Sequence, residues 1–334
     1  MATDLPWALR QAIERHLHEV APGEVTRATA KLSEQYRSSV RRGSPVARSH
    51  VDVCAYAAYR LPATFAAVLA ALQAIGEHRP GWQPRTLLDL GAGLGASIWA
   101  AVDVWPSIES ATAIDAEPQM IALGRDLAQA ATHQAVRSAR WTCGDLTTAV
   151  PSAAHDLVLL SYVLGELAAV AVPEIVQRAW GATAGTLVVV EPGTLPGYAR
   201  IIQVREQLLR AGAFITAPCP HDASCPLGGG DWCHFGVRLA RSRTHRVAKQ
   251  GALGFEDEKF SYIGVSRGVT GRTGARVLRH PQIRPKHIRL ELCTRAGLRS
   301  LTVTKRDPQA FKRARKSAWG DSFEDCAGIG PGTT

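Results

Sequence analysis

From Thr86 onward the chain alternates short apolar runs with helix-length stretches, and the first strand-to-helix passage is a glycine turn. TLLDL (86–90), ATAID (111–115), ARWTCGD (139–145), HDLVLLSY (155–162) and GTLVVVEP (185–192) read as five strands. SIWAAVDVW, PQMIALGRDLAQAA and YARIIQVREQLLRAG read as helices among and after them. Strands that alternate with helices of this length imply a parallel sheet with both faces covered. The expected fold class is therefore α/β.

The flanking regions follow other rules. Residues 1–80 space their apolar residues at three and four, in PWALRQAIERHLHEV and again over 50–77, and predict a helical region broken near Pro62. RSSVRRGSPVARSH (37–50) is polar and basic and predicts a loop. The strand–helix rhythm stops at Phe214, where TAPCPHDASCPLGGGDWCHF is too rich in Cys, Pro, Gly and Asp for a regular element. RLARSRTHRVAKQG then predicts a basic helix. KFSYIGVSR, HIRLELCT and RSLTVTKR predict antiparallel strands that finish the sheet. The expected division is 1–80, a helical region; 81–213, a ligand-binding core; 214–256, a Cys-rich insertion with a basic helix; and 257–334, the last strands and a basic tail.

Charge separates these regions. The formal net charge is +10. Residues 1–80 carry +3, residues 81–200 carry −5, and residues 201–334 carry +12. A strongly basic final third invites an anionic partner. No apolar run approaches the roughly 20 residues of a spanning helix, so no membrane partner is expected. The first twenty residues lack a leader pattern and contain Asp4, Glu14 and Glu19, which sets the expectation of a cytosolic protein. In that compartment the seven cysteines suit metal ligation or core packing better than disulfides.

LLDLGAGLGAS places Gly91, Gly93 and Gly95 between a strand and a helix, where backbone can approach a ligand closely and helix N–H groups face it. Three acids accompany the turn. Asp89 precedes it and can face a methionine-type amino group. Asp115 ends the second strand, where a carboxylate accepts both ribose hydroxyls. Asp145 ends the third, within reach of an adenine amino group. An acid at the end of three successive strands resembles the class I S-adenosylmethionine-dependent methyltransferases, and dinucleotide enzymes usually have an apolar residue at the place of Asp89. Catalytic motifs are missing. The segment after the fourth strand reads SYVLGEL, with Ser161, Tyr162 and Glu166 but no Pro-Pro-aromatic run. Pro218–Cys219 and Thr142–Cys143 do not form the nucleophile arrangement of cytosine C5 enzymes. No general base can be named.

Cys219, Cys225 and Cys233 are separated by five and seven residues on a loop without a core of its own. Ligation would organise such a loop in place of apolar burial. The fourth ligand can be His221, His234 or the distant Cys293. The spacing itself suits structural zinc and does not match the commoner ferredoxin runs.

CPHDASCPLGGGDWCHF, EDEKFSYIGVSR, RHPQIRPKHIRLELC and KRARKSAWGD, with AYAAYRLPAT and LLDLGAGLGASIWAA upstream, resemble the methyltransferase-like assembly factors of the mitochondrial small ribosomal subunit and their bacterial relatives. The likeness runs from about residue 50. It implies a 4Fe-4S cluster on Cys219, Cys225, Cys233 and Cys293, with zinc as the alternative. It also implies bound S-adenosylmethionine, small-subunit ribosomal RNA as partner, and lost transferase activity. Cys54, Cys143 and Cys326 fall outside the motif. With no evident presequence, the setting expected is the bacterial cytoplasm and the partner a bacterial small subunit, with the protein monomeric away from it.

Two basic clusters are the candidate RNA contacts. One comprises Arg238, Arg241, Arg243, Arg246 and Lys249, together with His245. The other comprises Lys305, Arg306, Lys312, Arg313, Arg315 and Lys316, interleaved with Phe311 and Trp319. The expected function is a small-subunit assembly factor. The alternatives are an active ribosomal RNA methyltransferase using the same site and, less in keeping with the basic surface, a zinc protein that methylates a small molecule.

Overall fold

The computed structural model describes residues 3–37, 49–240 and 254–324. Four helices open it: α1 (Trp7–His18), α2 (Pro22–Arg37), α3 (His50–Tyr59) and α4 (Leu61–Glu77). Arg60 separates the last two, and Pro62 occupies the first turn of α4, where its missing N–H costs nothing. Among the described residues no single helix is long and apolar enough to cross a membrane. The pair α3 and α4 would be, taken together, but is bent by 44°. The apolar character of α4 has another cause, since eleven of its residues are buried.

The main sheet contains β1 (Thr86–Leu90), β2 (Ser110–Asp115), β3 (Arg140–Cys143), β4 (His155–Ser161), β5 (Thr183–Pro192), β6 (Phe214–Ala217), β7 (Phe235–Ala240) and β8 (Phe255–Ser266). Its order is β3-β2-β1-β4-β5-β8-β6, and β7 pairs with the outer half of β8. The first five strands are parallel, and β8 runs antiparallel to β5, β6 and β7. This mixed sheet is the class I methyltransferase-like arrangement, with its switch point between β1 and β4. The helices α5 (Ala96–Val104), α6 (Pro118–Ala128), α7 (Gln134–Arg137), α8 (Leu146–Ala149), α9 (Val172–Gly181) and α10 (Leu195–Arg210) cover it. Strand alternation divides the core. Leu87, Leu157, Leu159 and Val188 pack under α1 and α3 to α7, while Leu88, Leu90, Val158 and Val189 pack with α8 to α10. Each such fully buried side chain contributes roughly 1.5–3 kcal/mol.

Two expectations fail here. HIRLELCT and RSLTVTKR do not extend the main sheet. They form β11 (His287–Thr294) and β12 (Gly297–Thr304) of a second, antiparallel sheet with β9 (Ala275–Val277), β10 (Gln282–Ile283) and β13 (Ser322–Phe323). This sheet has its own core, closed by α11 (Pro308–Lys316) through Ala310 and Ala314. The basic helix expected from Arg238 begins instead as strand β7, because Phe235 and Leu239 alternate into buried positions. Residues 241–253, which carry Arg241, Arg243, His245, Arg246 and Lys249, lie outside the described residues, as do most of the 37–50 loop and Cys326.

Candidate functional site

The turn between β1 and α5 holds three glycines in the left-handed region, with φ of +74° at Gly91, +54° at Gly93 and +79° at Gly95. Their roles differ. A Cβ on Gly91 would lie 2.4 Å from Val163, and one on Gly95 would lie 2.8 Å from the ring of Trp141. A Cβ on Gly93 would meet nothing within 4 Å. Two glycines permit close packing, and the middle one leaves open space above the strand ends.

Asp115 shapes the turn, accepting hydrogen bonds from the backbone N–H of Gly93 at 2.7 Å and of Glu117 at 2.9 Å. Burial raises its pKa, and these donors oppose the rise. Asp89 has no such relief. It is 0% exposed, neither oxygen has a hydrogen-bond partner, and burial followed by repulsion from Asp115 pushes its pKa to about 8. The Ser161 hydroxyl, at the end of neighbouring β4, is likewise buried and unpartnered. Buried polar groups are nearly always satisfied, so two exceptions on adjacent strand ends make this a candidate ligand position. Asp145 differs: β3 ends at Cys143, and the exposed Asp145 caps α8 by accepting from Thr147 N–H at 2.7 Å, which lowers its pKa.

The segment after β4 is closed by side chains that sequence reasoning missed. Tyr162 sits at φ +59°, and its N–H donates to Val190 at 2.7 Å. Its hydroxyl donates to Glu258 at 3.1 Å, and Arg60 completes the group, 3.4 Å from Glu258 and 5.4 Å from the Tyr162 ring. The buried Glu191 accepts from Leu164 N–H at 3.1 Å and from Arg200 at 2.6 Å. Tyr162 is thus committed to a carboxylate rather than open to a substrate.

Cys219, Cys225, Cys233 and Cys293 line one cavity, although Cys293 comes from the second sheet. Parity explains its arrival: Ile288, Leu290 and Leu292 fill the core of that sheet, so Cys293 projects from the opposite face. Tyr198 lies 3.2 Å from Cys225 through its hydroxyl. His221 Nδ1 lies 3.1 Å from the Ala223 carbonyl, which can only accept, so Nε2 is left to accept from the Cys293 thiol at 3.5 Å. Burial pushes the thiols of Cys219, Cys233 and Cys293 up, the last to about 12, and the neighbouring cysteines add to each rise. His234 is not in the cavity lining; it stacks on Trp232 with ring centroids 4.9 Å apart. Among the described residues no group of three or more His, Cys, Asp or Glu side chains could hold a single metal ion. The cavity gathers the four thiols without the close convergence of a single-ion site.

Lys305, Arg306, Lys312, Arg313, Arg315 and Lys316 are all exposed on α11 and the turn before it. The fold adds two cations that sequence reasoning did not join to them. Lys305 N–H donates to the Lys286 carbonyl at 3.3 Å, which brings the exposed Arg284 and Lys286 of the β10–β11 hairpin alongside. Only strand pairing reveals this. Phe311 packs against the core of the second sheet, and Trp319 packs between His234 and His280, so neither aromatic stands free among the cations. Arg238 is held by Asp257 at 2.7 and 2.9 Å and lies 4.1 Å from the Phe255 ring.

A family model described as "Mitochondrial small ribosomal subunit Rsm22" matches residues 50–324. The human protein "Ribosome assembly protein METTL17, mitochondrial" is 29% identical over 286 residues, covering 80% of this chain and 61% of its own length. "Rsm22-cox11 tandem protein 2, mitochondrial" of Schizosaccharomyces pombe (strain 972 / ATCC 24843) is 24% identical over 373 residues, covering 93% of this chain and 48% of its own. The chain therefore spans about half to three fifths of the length of these relatives. Among solved structures, the magnesium protoporphyrin IX methyltransferase ChlM from Synechocystis PCC 6803 with bound SAM aligns at a TM-score of 0.39 and 13% identity, over 71% of this chain and 91% of that one. The mitochondrial family and relatives correct the expectation of a bacterial cytoplasmic setting and point to the mitochondrion. That expectation rested on the pattern of the first twenty residues, whereas the family match spans most of the chain.

Proposed function

The chain belongs to the mitochondrial small ribosomal subunit Rsm22 family, and from that premise we propose that it is an assembly factor that docks on the ribosomal RNA of the small subunit. The observation that carries this reading is the cation surface of α11 and the β10–β11 hairpin. Lys286 and Lys305, on adjoining turns of the second sheet, and Lys312, Arg315 and Lys316, on the helix that closes it, are all exposed, at a density suited to phosphate.

The glycine turn supports S-adenosylmethionine as a ligand. The fit rests on Asp89, a buried carboxylate with no partner, on the open space over Gly93, and on Asp115 at the tip of β2. Asp89 would take the ligand's ammonium and Asp115 its ribose. Asp145 would serve the adenine only by giving up part of its capping role. The engagement of Tyr162 with Glu258 favours binding without methyl transfer.

The donor set of the cysteine cavity supports a 4Fe-4S cluster on Cys219, Cys225, Cys233 and Cys293. A four-iron cubane spreads its thiolates more widely than a single ion does, in keeping with four thiols around one cavity that lack single-ion geometry. When bound, such a centre would supply cross-linking of the loop and, with an external electron donor, one-electron chemistry. Zinc, the alternative that the spacing suits, finds no single-ion arrangement of these thiols among the described residues.

The test is direct. Purified protein, labelled S-adenosylmethionine and immature small subunits are incubated and the RNA is examined. Retention of the protein on the RNA without label transfer is the expected result. Label at one nucleotide would establish the methyltransferase reading instead, and failure to bind the RNA overturns the assembly reading.

A further inference from the structure

Two buried cations share the cysteine cavity with the four thiols. Arg205 of α10 is 2% exposed and Arg276 of β9 is 1% exposed, and both line the cavity. Neither has a carboxylate within ion-pair distance among the described residues, and no Asp or Glu lines the cavity. Each is held by neutral acceptors. Arg205 donates to the carbonyls of His221 at 3.1 Å and Ala223 at 2.6 Å, both in the Cys-rich loop. Arg276 donates to the Pro218 carbonyl at 3.0 Å and the Gly320 carbonyl at 2.8 Å, and to His78 Nε2 at 3.1 Å. Arg205 has one further N–H, at Nε, buried without a partner.

Register makes the arrangement specific. Arg276 lies directly opposite Cys293 on paired strands. Ala275 and Val277, its neighbours on β9, point into the core of the second sheet, so the Arg276 side chain leaves on the Cys293 face. A buried cation without a counter-ion is among the costliest groups a protein can hold. Two of them beside four thiols become intelligible once the thiols ionise. Four thiolates around either a divalent zinc ion or an oxidised four-iron cluster carry two net negative charges, and two guanidinium groups carry two positive ones.

Resting on the reading of the four cysteines as one metal-binding set, we propose that Arg205 and Arg276 are the paired counter-charges of that centre, neutralising a tetrathiolate dianion inside the fold. Arg276 does this from the second sheet and Arg205 from α10, a helix packed on the main one, so the charge balance is complete only when the two sheets meet.

The test uses the full chain, purified and reconstituted without oxygen, with iron, sulfide and zinc quantified. Arg205→Gln, Arg276→Gln and the two corresponding Lys variants are compared with the parent for fold by circular dichroism, for half-life of the centre under a chelator and, where iron is bound, for reduction potential. Each Gln variant should shorten the half-life about tenfold or more, given the large cost of unbalancing a buried charge. The potential should move to more negative values, because a removed cation no longer favours the added electron. Lys variants should stay closer to the parent on both measures. Folded Gln variants with the half-life and potential of the parent overturn the counter-charge role and leave the cysteine reading intact. If Gln variants do not fold, the Lys variants decide: parent-like retention supports the role of charge, and loss of the centre overturns it. A parent that takes up neither iron nor zinc overturns both readings.

Discussion

Asp89 lies under the glycine turn with no donor to either oxygen, and its pKa of about 8 leaves it protonated at neutral pH in the ligand-free protein. In the unfolded chain the same carboxyl titrates near 3.8. Between those values the folded state holds a proton that the unfolded state has released. The stabilisation is therefore full below the unfolded pKa and declines as pH rises through the folded one, by up to about 1.4 kcal/mol per pH unit. Asp89→Asn should flatten that decline, read as urea midpoints at pH 6 and pH 8. The same substitution should weaken S-adenosylmethionine binding by roughly 10–100-fold, the worth of a charged hydrogen bond. Calorimetry in two buffers should show proton release on binding in the parent and not in the variant. The glycines give a second contrast. Gly93→Ala meets no atom, so it should cost about 1 kcal/mol of backbone strain and act mainly on ligand binding. Gly95→Ala drives a methyl into Trp141 and should cost clearly more in thermal stability.

At the scale of single elements, α11 separates stability from binding. Asp307 caps it by accepting from Ala310 N–H at 2.9 Å, so Asp307→Ala should cost about 1 kcal/mol. Replacing Lys312, Arg315 and Lys316 together by Ala removes exposed charge only. It should leave the melting temperature nearly unchanged while reducing the salt slope of RNA binding by up to about three. An unaltered slope would remove this face from the RNA contact. The elements also show what could be read in advance. β1, β4 and β5 announce themselves because a strand buried on both faces must be continuously apolar, as in LVLL and TLVVV, whereas β2 and β3, half-buried and unburied, were legible from their place between helices. β7 did not, since its alternation of Phe235, Val237 and Leu239 is short and runs straight into the basic RLARSR segment. β11 and β12 were legible as strands but not as a separate sheet. Local pattern sets a strand's faces, whereas its partner is chosen by residues far away in sequence. The same limit hid Arg276, Arg205 and the Lys286–Lys305 junction. Three members of the cysteine set, by contrast, were legible from their spacing, and the choice of Cys293 as the fourth came from resemblance; strand parity now accounts for how Cys293 comes to line the same cavity.

Across the whole molecule, the two sheets have separate apolar cores, joined by Trp319, which packs against the main core, and by polar contacts. Arg272 pairs with Asp222 at 2.6 Å and Arg279 with Asp231, both partly exposed and therefore worth little. The more buried part of the junction is Arg276 with Pro218 and His78, Trp319 against the main core, and Cys293 in the shared cavity. Burial and the Arg276 charge hold His78 near a pKa of about 4, so it stays a neutral acceptor through the physiological range. A centre ligated by three cysteines of the loop and one of β11 would therefore be a strong tie between the main sheet and the basic one. Cys293→Ser cuts that tie while keeping nearly the same volume. Hydrogen exchange should then quicken about tenfold or more in β9, β11 and β13, corresponding to roughly 1.4 kcal/mol or more of lost local stability. Amides of β1 and β4 should keep their protection, because both faces of those strands are packed independently of the second sheet. RNA affinity should fall with the ordering of the basic face, although none of its cations has been altered. Unchanged exchange across 275–323 in the variant would mean that Trp319, Arg276 and the surface ion pairs hold the two sheets together unaided.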